Sequence, residues 1–124
     1  MRHLLISALL TMLAAPALAD PPVIEEVRAT LQGTTWRFDV TLSHPDTGTE
    51  HYADGWRILD PDGNELALRV LYHPHVNEQP FTRSLGGVVL PDGISEVGIQ
   101  ARCNVDGWAT EVIALALSAP HYTR

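Results

Sequence analysis

The chain has 124 residues with 8 basic and 15 acidic side chains, a formal net charge of −7, and one cysteine. This acidic balance argues against nucleic acid and anionic lipid as partners, while it raises the local concentration of cations. A lone cysteine excludes an intramolecular disulfide framework.

Met1-Arg2-His3 is a short basic start, Leu4 to Leu13 an almost uninterrupted apolar run, and Ala17-Leu18-Ala19 a small-x-small cleavage pattern. The run is about half the roughly 20 residues that span a bilayer. Residues 1–19 therefore read as a cleaved signal peptide and residues 20–124 as one domain, periplasmic or secreted, with no membrane role after cleavage. A retained anchor is the competing reading, opposed by Pro16 and by the small residues at the cleavage site. Without Arg2 the balance is 7 basic to 15 acidic, and every basic residue is Arg.

Helical periodicity is nearly absent after residue 19, and period-2 alternation recurs between turn signals. Residues 23–31 could place Ile24, Val27 and Leu31 on a helical stripe. Val23, Val27, Ala29 and Leu31 also alternate, and the segment leads into an amphipathic strand, so it is read as the first strand. The second carries Trp36, Phe38, Val40 and Leu42 on one face and Arg37, Asp39 and Thr41 on the other. A polar loop, residues 43–51, leads to a third strand from Tyr52 to Leu59, closed by the turn Asp60-Pro61-Asp62-Gly63. The fourth strand alternates Leu66, Leu68, Val70 and Tyr72. An irregular segment, His73 to about Pro80, opens into a fifth strand ending near Val88-Val89-Leu90. After Pro91-Asp92-Gly93 the sixth strand covers Glu96 to Asn104, and after Val105-Asp106-Gly107 the seventh covers Trp108 to Leu117, with Pro120 marking a loose tail.

Seven short strands without a helix or repeat predict an all-β, seven-stranded antiparallel sandwich of immunoglobulin or fibronectin type III kind. The Cys and Trp spacing of antibody domains is missing, and a small closed β-barrel is the alternative. Cys103 lies on one alternating face with Val97, Ile99 and Ala101, which reads as a small core residue rather than a reactive thiol.

If consecutive strands run antiparallel, connections alternate between the two poles. The turns at 32–35, 60–63 and 91–94 share one pole. The loops at 43–51, 73–80 and 104–107 share the other, which collects His44, Asp46, Glu50, His51, His73, His75, Glu78 and Asp106, flanked by Tyr52, Tyr72 and Trp108. Residues i and i+2 of an extended chain point the same way about 7 Å apart, so His73-Pro74-His75 could hold one ion. Glu78 could ligate or orient a histidine, and His51 or His44 could complete the set. The candidate metal ligands are thus His73, His75, His51, His44 and Glu78. The competing reading of each is a histidine that caps a turn, bonds backbone or is solvated.

Both methionines leave with residues 1–19, so a cuprous thioether site is excluded, and imidazole with carboxylate suits Zn2+ or Cu2+. Asp20 as the first mature residue also excludes a copper brace built on an N-terminal histidine. Binding would weaken as pH falls through about 6.5, because protonated imidazole cannot ligate.

Other patterns have simpler explanations. Glu78 and Arg83 suit an ion pair that pins the loop more than a carboxylate grip. Ser84 lacks a glycine elbow and nothing supports a hydrolase triad. Tyr52, Trp56, Tyr72 and Trp108 suit the core more than a sugar platform. Asp60-Pro61-Asp62-Gly63 lacks the later ligands of a calcium loop.

The strings His51-Tyr52-Ala53-Asp54-Gly55-Trp56, Arg69-Val70-Leu71-Tyr72-His73-Pro74-His75 and Glu78-Gln79-Pro80-Phe81-Thr82-Arg83 resemble those of small, uncharacterised exported proteobacterial proteins, over roughly residues 36–117. The resemblance implies export and a single domain, and brings no established activity or cofactor. Two functions are left: a periplasmic binding or carrier module for Zn2+ or Cu2+ through loop histidines, or a metal-free domain presenting the same loops to a periplasmic protein or peptide. No nucleophile or acid–base pair supports an enzyme.

Overall fold

The computed structural model describes residues 20–124; the expected signal peptide, residues 1–19, lies outside the described residues. Among the described residues nine strands follow one another: β1 Val23–Gln32, β2 Thr35–Ser43, β3 Ala53–Leu59, β4 Glu65–Val70, β5 Phe81–Val88, β6 Glu96–Cys103, β7 Gly107–Trp108, β8 Ile113–Ala116 and β9 His121–Thr123. They form two antiparallel sheets, one ordered β5-β2-β1-β9, the other β4-β3-β6-β7 with β8 also on β6. This is an all-β sandwich and not a closed barrel.

The faces that meet are the ones alternation selects. β2 buries Phe38, Val40 and Leu42 and β6 buries Val97, Ile99, Ala101 and Cys103, against Val27 and Ala29 of β1, Trp56 and Ile58 of β3, and Ile113 and Leu115 of β8. Apolar side chains at every second position leave water together when two such sheets stack, which is the main stabilising term.

Nine strands stand where seven are expected, for identifiable reasons. The seventh segment divides because the chain leaves the edge of β6 over residues 110–112, after Ala109 N donates to Ala101 O at 2.8 Å. β7 pairs with Arg102 and Cys103, and β8 with Glu96 to Ile99. The tail is not loose either: β9 pairs with Glu26, Val27 and Arg28 of β1.

Two facing assignments also change. A register shift between Ile24 and Glu26 lets Ile24 and Val27 both face inward, and Leu31, expected in the core, is 57% exposed. β4 is a sheet edge, so Leu68 and Val70 are partly exposed, Tyr72 is 76% exposed, and the buried residue nearby is Leu71.

These burials set contrasting expectations. Phe38→Ala should cost about 3–5 kcal/mol by removing a fully buried ring. Leu31→Ala should stay within about 0.5 kcal/mol. Urea unfolding of both variants checks the inward face of β1–β2, and a comparable loss at both positions would refute it.

Candidate metal centre

Three connections meet at one end of the sandwich: residues 44–52 between β2 and β3, residues 71–80 between β4 and β5, and residues 104–106 after β6. Asn104 ties the first to the third, its Oδ1 accepting from Tyr52 N at 2.9 Å and its Nδ2 donating to Thr49 O at 3.0 Å. Gln79 ties the second to the first, accepting from His44 N at 3.0 Å and donating to His75 O at 2.9 Å.

Asp46 sits between these segments with its side chain fully buried. Oδ1 accepts from His44 Nδ1 at 2.5 Å and from Ala53 N at 3.0 Å, and Oδ2 accepts from His75 N at 2.8 Å. A carboxylate only accepts, so the His44 proton is on Nδ1 and the lone pair is on Nε2. This is the arrangement by which a carboxylate orients a ligating imidazole.

His51 is brought over His44 by a tight turn. Thr47 N donates to His51 O at 3.0 Å, and Gly48 bridges His51 with φ of 151°. That φ is one that residues with a Cβ rarely adopt, which favours glycine there. The His44 and His51 rings meet edge to face with centroids 4.7 Å apart. Nε2 of each is buried without a hydrogen-bond partner among the described residues.

The third member is Cys103. The pairing of Ala53 with Cys103 sets the end of β6 against the start of β3, two residues after His51. His44, His51 and Cys103 each offer a donor atom, all within 4.8 Å of one another, the one such group of three among the described residues. Asp106 N donates to Cys103 Sγ at 3.3 Å, and Sγ lies 3.7 Å from Asp106 Oδ2. A surface cleft of about 450 Å³, bordered by Asp20, Pro21, Ser43, Pro45 and Gln79, reaches His44.

The five histidine-pole candidates are therefore divided. His44 and His51 converge. His75 is buried nearby with its ring turned elsewhere: it stacks on Phe81 with centroids 3.9 Å apart, and its Nε2 accepts from Arg83 Nη2 at 2.7 Å. His73 is exposed, its ring 6.4 Å from that of His75, and Glu78 is exposed with a 3.6 Å ion pair to Arg83. That pair is the loop pin expected from the sequence. Cys103 was legible as a core residue, and its place beside the 104–107 loop was the signal that it also borders the histidines.

Of the aromatic set, Trp56 is core and Trp108 lies under the Arg57 guanidinium at 3.9 Å. The Asp60 turn is a local cap: Asp60 accepts from Asp62 N and Asn64 N, and its pKa is lowered, first by the Asn64 backbone bond.

No protein-family model and no solved structure matches the chain. It is similar to a protein of Halomicrobium mukohataei named "Putative lipoprotein", 30% identical over 98 residues that make up 79% of this chain and 48% of that one. The chain thus spans about half the length of the curated relative it matches.

Burial, chiefly, lowers the His75 pKa below its ordinary 6.5, and the Arg83 cation and His73 add to this, against Asp46 and Glu78. The fold therefore favours neutral His75, and stability falls as pH drops below about 6.5, where the unfolded chain gains a proton the folded chain resists. In denaturant titrations between about pH 7.5 and 5, His75→Gln should lose less stability than the native chain; an equal loss would assign the acid sensitivity elsewhere. Asp46→Ala should cost about 3 kcal/mol or more, since three donors lose their acceptor. A loss under about 1 kcal/mol would show that water replaces the carboxylate.

Proposed function

We propose that this chain is an exported binding or carrier module for a transition metal ion, Zn2+ or copper, with His44, His51 and Cys103 as its ligands. The observation that supports this reading is the pair of buried, unpartnered Nε2 atoms on two histidines that each bring a donor atom within 4.8 Å of the other and of Cys103 Sγ. A buried imidazole nitrogen without a partner costs stability, about 1–3 kcal/mol. A metal ion would relieve both together, and the Asp46–His44 bond already holds one donor in its ligating form.

Export rests on two independent indications, the N-terminal pattern of residues 1–19 and the name of the archaeal relative. The periplasm is the compartment we assign, in keeping with the resemblance to small exported proteobacterial proteins.

A second reading is favoured by a different observation. Tyr72, Val76 and Val105, on loops of this same pole, are 76%, 50% and 59% exposed. Such side chains suit a protein or peptide partner that docks on the loops without a metal.

Calorimetric titration of the purified protein separates the two. One Zn2+ or Cu2+ per chain should bind with submillimolar or tighter affinity. His51→Gln should weaken it by more than about 100-fold, beyond what outer-shell changes cost, whereas His73→Ala should leave it unchanged. Absence of binding, or binding lost with His73 and kept without His51, would refute the assignment.

A further inference from the structure

Building on the metal-binding reading, we infer that the ion this centre selects is copper, held in its cuprous state as a three-coordinate complex of the Cys103 thiolate and the His44 and His51 imidazoles.

Ligand count is the first ground. A closed zinc site takes four protein donors, and a catalytic one keeps a fourth position for water. Among the nearby groups that might supply a fourth, His75 Nδ1 is buried without a partner, but Nε2 of that ring accepts from Arg83, so Nδ1 carries the proton of the neutral ring and has no free lone pair; the others are engaged. Both Asp46 oxygens accept hydrogen bonds, from His44, Ala53 and His75, and His75 Nε2 accepts from Arg83. Asp106 lies beside Cys103 Sγ and is not among the mutually close donors. Two imidazoles with one thiolate form the trigonal donor set that copper takes, and a thiolate suits the soft cuprous ion.

Charge is the second ground. Cys103 is fully buried and His44 is 3% exposed. The Asp46 carboxylate bonded to His44 adds its charge equally to either complex and is held by three hydrogen bonds of its own, so the difference lies in the ion: a singly charged cuprous ion costs less to bring out of water into this poorly solvated place than Zn2+. The Asp106 N–H that points at Cys103 Sγ stabilises the thiolate without adding a ligand. Binding breaks the S–H bond and forms the metal–sulfur bond; the proton has the Asp106 carboxylate 3.7 Å away as its first acceptor and passes from that exposed side chain to water.

Displacement of Zn2+ by Cu2+ would not be diagnostic, since most nitrogen and sulfur sites prefer Cu2+. The informative experiment loads the purified protein anaerobically with cuprous ion buffered by a colorimetric chelator, then challenges it with Zn2+ at roughly 100-fold excess. The expected result is one cuprous ion per chain, not displaced, with affinity more than about 100-fold weaker in Cys103→Ser. Oxidation should give a visible thiolate-to-Cu2+ charge-transfer band that Cys103→Ser lacks. His51→Gln, at a half-buried position, gives the same comparison should the serine variant fail to fold. One-to-one Zn2+ binding that expels copper, or copper held equally well by Cys103→Ser, would overturn the copper assignment and leave metal binding standing. Failure to hold either ion would overturn both.

Discussion

The Asp46 carboxylate is the constraint on which this pole depends. Fully buried, it is held by three donors from separate pieces of chain: the His44 ring, the Ala53 backbone at the start of β3, and the His75 backbone in the β4–β5 connection. Burying a carboxylate is tolerable when it is fully hydrogen-bonded, and its removal leaves all three donors unmatched. Loop packing and imidazole orientation at this end are therefore set by one side chain.

The sandwich supplies the geometry around it. Antiparallel order in both sheets brings three connections to one end, and the pairing of Ala53 with Cys103 fixes how the last residue of β6 faces the loop before β3. Cys103 belongs to both the core and the candidate centre, since its side chain continues the Val97, Ile99, Ala101 face to the point where the histidines begin. A donor anchored on a strand moves little, and the two loop histidines are held by the Asp46 bond and by the Gly48 turn.

Much of the fold was legible because β2 and β6 alternate cleanly and because turn residues separate the strands. What was not legible depends on tertiary context. The bulge that brings Ile24 and Val27 to one face, the exposure of Leu31 at the hairpin end, the division of the last long strand and the pairing of the three-residue β9 with β1 leave little trace in local pattern. At the pole, alternation of connections grouped the right loops. The His73-Pro74-His75 spacing drew attention for a reason that holds only on extended strand, whereas residues 71–80 are irregular and the His75 ring is captured by Phe81 and Arg83. Alternation marks Cys103 as core, and a buried residue can also be a ligand when it ends a strand.

The most direct measurement of the central claim is X-ray absorption at the metal edge of the loaded protein. The expected first shell contains one sulfur at about 2.3 Å with two imidazole nitrogens at about 2.0 Å. A shell of nitrogen and oxygen alone would contradict it, because the ion would then lie away from Cys103 and the buried pair of histidines would not be its site.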